Sequence, residues 1–145
     1  MKRCLLMVLL SLILAAGCGP GQAPKKPIPQ ASNQPPVVNR QAMMQLKNAL
    51  LDIRGVDEAA VVVINRDVSA ALKVTGLNRF RLQAIRSEAS LAVKRADPDY
   101  VPHITTDKKL FRELQRVERD IQHNRGGTPA RVRERVERIN QAMQG

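Results

Sequence analysis

The 145-residue chain carries 24 Lys and Arg against 13 Asp and Glu, a formal net charge of +11, with two cysteines and three aromatic residues. That length admits one modest domain, and two cysteines, one inside an N-terminal apolar run, leave no disulfide framework. Three aromatics, Phe80, Tyr100 and Phe111, are too few for a platform that stacks nucleic-acid bases.

The N-terminus reads as an export signal. Lys2 and Arg3 form a positive start, and Leu5 to Leu14 is apolar except for Ser11. The run is well short of the roughly 20 residues a spanning helix needs. It ends in Leu14-Ala15-Ala16-Gly17-Cys18, small residues before a cysteine, the pattern a lipoprotein signal peptidase cuts. Residues 1–17 are therefore predicted to be removed, with Cys18 lipidated by fatty-acyl chains of the palmitate kind. Cys4 leaves with the signal, and a lipidated Cys18 can neither bridge nor bind a metal.

Loss of Lys2 and Arg3 leaves 22 basic against 13 acidic residues, a net +9, spread as +2 before residue 40, +3 over 40–105 and +4 over 106–145. A basic exported protein tethered to a membrane is drawn to anionic headgroups or wall polymers. Export and the lack of aromatics argue against nucleic acid as the partner.

Residues 18–38 read as the lipidated cysteine followed by a linker. Six of the nine prolines (Pro20, Pro24, Pro27, Pro29, Pro35, Pro36) fall there among Gln, Ser, Asn and Lys. Such a composition cannot build a core. At roughly 3 Å per residue it reaches at most about 60 Å.

The domain is predicted over 39–145. Asn39 is a helix N-cap, and Met43, Leu46, Leu50 and Ile53 follow on one helical face until Gly55 stops the helix in a left-handed conformation. Ala59–Ile64 is a short β-branched run, apolar enough for a central strand. Asn65-Arg66-Asp67 turns the chain. Val68, Ala70, Leu72 and Val74 then alternate with Ser69, Ala71, Lys73 and Thr75, a strand with one wetter face.

Gly76 and Asn78 precede a second helix, to about Arg95, that buries Leu82, Ile85, Ala89, Ala92 and Val93. Asp97-Pro98-Asp99 breaks it. Tyr100–Thr105 is a third strand, placed at a sheet edge by Pro102. Asp107 caps a third helix with Leu110, Leu114, Val117 and Ile121 inward, and Gly126-Gly127 ends it. Thr128 and Pro129 start a fourth, with Val132, Val136, Ile139 and Met143 inward. The order α-β-β-α-β-α-α predicts an α+β fold, a small sandwich whose three-stranded sheet is covered by helices.

This succession resembles a known family. Gly55-Val56 leads into Ala59–Asn65, and a hairpin follows with Ala70-Ala71-Leu72. A helix ending Val93-Lys94-Arg95-Ala96-Asp97-Pro98 leads to a strand ending Thr105-Thr106-Asp107 and a basic helix pair. Behind a lipobox and polar linker, these features resemble the YhcN/YlaJ sporulation lipoproteins over most of residues 40–145. The segment from Asp97-Pro98 to Thr105-Thr106-Asp107 is the most specific part. The resemblance implies a spore-membrane lipoprotein of spore-forming bacteria that acts in sporulation or germination. It carries over no catalytic residues.

Catalytic and metal-binding patterns are lacking. His103 and His123 stand alone, too few for zinc, and read as a strand residue facing water or the sheet edge and a helix-surface residue. There is no nucleophile elbow, P-loop or dinucleotide-binding glycine pattern. Glu113, Glu118, Asp120, Glu134 and Glu137 alternate with arginines at helical spacing, the pattern of a solvated, ion-paired face. No enzyme activity, metal or cofactor is therefore expected.

At 100° per residue, Lys109, Arg112, Arg116, Arg119 and His123 share one strip of the third helix, nearly opposite its apolar stripe. Arg131, Arg135 and Arg138 repeat this beside the apolar face of the fourth. A solvated basic surface accounts for such a strip. The sharper alternative is an adhesive face for anionic lipid, wall polymer or an acidic protein. The resulting expectation is a non-catalytic binding or scaffolding lipoprotein on the extracytoplasmic face of the cell or spore membrane, with spore-membrane or cortex proteins as partners. The rival is a cortex peptidoglycan hydrolase or its direct activator.

A diacylglyceryl anchor holds a protein on a bilayer by itself, because two acyl chains suffice. Cys18→Ser is expected to abolish the processed, membrane-fractionating species in cell fractionation. The same processed species still on the membrane would contradict lipidation.

Overall fold

The computed structural model describes residues 35–74 and 76–144, so Cys18 and the segment before residue 35 lie outside the described residues. The described elements are helix α1 (Arg40–Leu51), strands β1 (Val56–Ile64) and β2 (Asp67–Val74), a 3-10 segment (Gly76–Arg81), helix α2 (Leu82–Ala96), strand β3 (Val101–Thr105), and helices α3 (Lys108–Gln122) and α4 (Pro129–Gln144). Four α-helices and a three-stranded mixed sheet thus run in the order α-β-β-α-β-α-α, an α+β fold.

Helix starts follow local chemistry. The side chain of Asn39 accepts from the Ala42 N–H at 3.0 Å. Asp107 Oδ1 accepts from Lys109 and Leu110, both at 2.8 Å. Each satisfies backbone donors that the first turn leaves without partners. Helix α1 stops at Leu51, yet Ile53 beyond it remains buried.

The strand order is β1-β2-β3, with β1 antiparallel and β3 parallel to β2. The most apolar run, β1, is therefore at an edge and β2 is central. Residues 59–64 are nonetheless all buried, because helices cover both faces of β1. The chain just ahead of α1 also pairs with its outer edge: Asn39 donates to the Val63 carbonyl at 3.0 Å and Asn65 to the Val37 carbonyl at 2.9 Å. An apolar run reports burial on two faces, and here that did not require two flanking strands. Strand β3 is the other edge, where Pro102 costs no ladder bond.

Register assigns side chains to faces. Ala59, Val61 and Val63 lie with Leu72, Ala70 and Val68, and with Pro102 and Ile104 of β3, under α1 and α2. Ala60, Val62, Ala71 and Ser69 lie under α3 and α4. The face expected to be wetter is thus covered as well. Ser69, fully buried, donates to Asn140 Oδ1 of α4 at 2.7 Å, so its hydroxyl is not left unsatisfied. Among the described residues of that row, only Lys73 is exposed.

The second helix begins later than its pattern suggests, since Gly76–Arg81 forms the 3-10 segment. Gly76 and Gly55 both hold positive φ, +62° and +100°. They differ in surroundings: a Cβ on Gly55 would lie 2.7 Å from Asn78 Cγ, whereas one on Gly76 meets nothing within 4 Å. Gly76→Ala is expected to cost about 1 kcal/mol from backbone strain alone, and Gly55→Ala at least about 2 kcal/mol because the clash adds to it. Denaturant unfolding of the two variants checks the order. Equal losses would contradict the close approach of Asn78 to Gly55.

Candidate functional site

The core of α3 places its outer face. Leu110, Leu114, Val117 and Ile121 are buried as their spacing requires, and Phe111 joins them at 6% exposure. Glu118 joins them too, which corrects its assignment to a solvated face. It is 2% exposed, and Lys47 Nζ of α1 reaches its carboxylate oxygens at 3.0 and 3.1 Å. Lys47 retains 33% exposure, so the pair closes around the outer edge of β1 from partly open water. Arg40 of α1 likewise donates to the Asn124 side chain just after α3.

With that row inward, Lys109, Arg112, Arg116 and Arg119 are exposed, as is Arg131 on α4. Arg138 is exposed and bonds Glu134 within its own helix at 3.3 Å. Arg135 is only half-exposed, since its guanidinium meets Asp120 of α3 at 2.9 Å. Glu137 is taken up by Arg133 at 2.8 Å. Among the described residues, no ion pair engages Lys109, Arg112, Arg116, Arg119 or Arg131.

The structure divides this basic strip. Arg116, Arg135 and Arg138 come together along a groove between α3 and α4 that also includes Glu113 and Ile139. Arg112 turns to the other side of α3, where it lines a cavity of about 530 Å³. The floor of that cavity is apolar, from Leu72, Val74, Leu82 and Phe111, and Arg79 and Lys108 stand with Arg112 at its rim. Glu58 and Lys73 also line it and pair with each other. The hydrogen bond from Lys73 to Glu58 and the carboxylate charge hold the ammonium pKa above its ordinary 10.5. A raised lysine pKa favours the fold below the ordinary value, and that contribution is lost only as pH climbs through the raised one. Lys73 therefore stays a cation throughout the neutral range.

Spacing on one helix could not reveal this cavity, because its cations come from β2, the 3-10 segment and α3. The signal present was the alternation Arg79-Phe80-Arg81, basic residues about an aromatic with no place in a helical stripe.

His103 is half-buried, with Nε2 3.3 Å from Asp67 Oδ1, and His123 is exposed at the end of α3, its Nδ1 2.8 Å from the Arg119 carbonyl. Among the described residues, no group of three or more His, Cys, Asp or Glu is arranged to hold a metal. No described helix is long and apolar enough to cross a membrane.

The Asp97-to-Asp107 segment proves to be a pair of chain-turning devices. Asp97 Oδ1 accepts from the Asp99 N–H at 2.8 Å and Lys94 donates to the Pro98 carbonyl at 2.8 Å, turning α2 into β3. Thr105 Oγ1 accepts from the Asp107 N–H at 3.1 Å, and Asp107 then caps α3. These residues set the direction of α3, and with it the position of the arginines.

A lipobox ahead of a small α+β domain with a basic helix pair is the layout of a lipoprotein. The sequence matches the sporulation lipoprotein YhcN/YlaJ family over residues 22–141, and the chain belongs to that family. The match extends ahead of the domain into the proline-rich segment. A search of curated proteins gives no match.

Proposed function

We propose that this sporulation lipoprotein is a non-catalytic binding or scaffolding component on the extracytoplasmic face of the spore membrane, anchored through Cys18 and acting in sporulation or germination. The observation that carries the reading is the outer face of α3: Arg112, Arg116 and Arg119 are exposed beside a buried stripe, and among the described residues no carboxylate forms an ion pair with them. Charges left open in this way remain available to an external anion, whether lipid headgroup, wall polymer or acidic protein surface. Family membership supports the setting, sporulation and a lipoprotein. Incubation with purified cortex separates this role from that of a hydrolase, which would release soluble fragments.

Each basic side chain near an anionic surface contributes about 1 kcal/mol, so Arg112→Gln, Arg116→Gln and Arg119→Gln together are expected to weaken binding to anionic vesicles or wall polymer about a hundredfold at low salt. The chain from residue 18 carrying Cys18→Ser, free of lipid, is the form to use. Exposed substitutions of this kind change stability by about 0.5 kcal/mol or less, so the melting temperature is expected to stay nearly unchanged. Equal binding by variant and parent would reduce the face to a solvated surface.

A further inference from the structure

The 3-10 segment Gly76–Arg81 displays two large apolar side chains almost wholly to solvent, Leu77 at 84% and Phe80 at 91% exposure. A 3-10 helix has three residues per turn, so positions three apart project to the same side. Leu77 and Phe80 therefore form one apolar point. Around it are cations: Arg79 and Arg81 in the same segment, with Lys108 and Arg112 across the cavity that Arg79 helps to line. Among the described residues, no ion pair engages any of the four. Glu58, the one carboxylate in the cavity, is already held by Lys73.

We infer that this tip is a membrane-insertion site: Leu77 and Phe80 enter the interfacial layer of an anionic lipid leaflet, while Arg79, Lys108 and Arg112 hold lipid phosphate at the cavity rim. An anionic leaflet supplies the two chemistries in the required order, acyl chains beneath a phosphate layer, and amphipathic segments bind it by that combination. A pocket in an acidic protein would have to supply a hydrophobic socket and a ring of carboxylates together. Membership in a lipoprotein family puts a bilayer within the protein's surroundings. The inference deepens the proposed adhesive role, since Arg112 belongs to both surfaces, but it assigns the contact to a different element.

The chain contains no tryptophan, so Phe80→Trp introduces a single indole, excited at the red edge where Tyr100 does not absorb, at a position too exposed to disturb folding. It is to be made in the chain from residue 18 with Cys18→Ser. Mixed with vesicles of phosphatidylglycerol and phosphatidylcholine, its emission is expected to move to shorter wavelength and to be quenched by acyl-brominated lipid. Phosphatidylcholine alone, or inorganic phosphate, is expected to do neither. Leu77→Ser with Phe80→Ser is expected to bind the anionic vesicles about tenfold more weakly than the parent at unchanged melting temperature. Cosedimentation without quenching would overturn insertion and leave the α3–α4 arginines as the contact. Equal quenching on uncharged vesicles would overturn the role of the rim cations. No binding to anionic vesicles would overturn insertion and the lipid form of the adhesive reading together.

Discussion

What the molecule presents to its surroundings depends on the rotation of α3 about its own axis, and that rotation is pinned by Glu118. The apolar row alone would tolerate some rocking, because buried methyl groups have no strong directional preference. A buried carboxylate with one ammonium partner does. Glu118 finds Lys47 only when it points past the edge of β1 toward α1. A buried ion pair adds little net stability against an apolar replacement, but leaving one partner alone inside is costly. Its effect is therefore on orientation: with Glu118 inward, Arg112, Arg116 and Arg119 have nowhere to go but water.

The same contact deals with the exposed edge of β1. An apolar edge strand offers its backbone to any other strand that approaches. Here residues 37–39 pair with its end, and the Lys47–Glu118 bridge spans its flank from one helical layer to the other. The described fold thus already engages the chain at Val37, two residues ahead of the Asn39 cap. Protection of the edge and display of the arginines are two results of one packing arrangement.

Much of this was legible because it is local. Asn39, Asp107 and Thr128 announce helix starts through short side chains that reach their own backbone, and the buried rows of α1, α3 and α4 follow from a period of 3.6. Three features were not legible, each for a physical reason. Burial of β1 does not reveal its place in the sheet, because helices can enclose an edge strand as fully as neighbouring strands do. Glu118 has the same i+4 neighbours as any surface glutamate, and nothing near it indicates a partner 71 residues away. Arg135 belongs to a basic helix by spacing, but its charge is half spent on Asp120 of a different helix. The exposed arginines were predicted correctly in position, while their division between a groove and a cavity needed β2 and the 3-10 segment to be placed.

The most direct measurement is a double-mutant cycle on Lys47 and Glu118, read by denaturant unfolding. Lys47→Met strands the buried carboxylate and is expected to cost about 2–3 kcal/mol, somewhat below a fully enclosed pair because Lys47 is a third exposed. Adding Glu118→Leu to it is expected to restore most of that loss, since an apolar pair of similar volume removes the stranded charge. If Lys47→Met is as stable as the parent, or if Glu118→Leu brings no recovery, Glu118 does not pin α3 and the outward arginine face loses its structural cause.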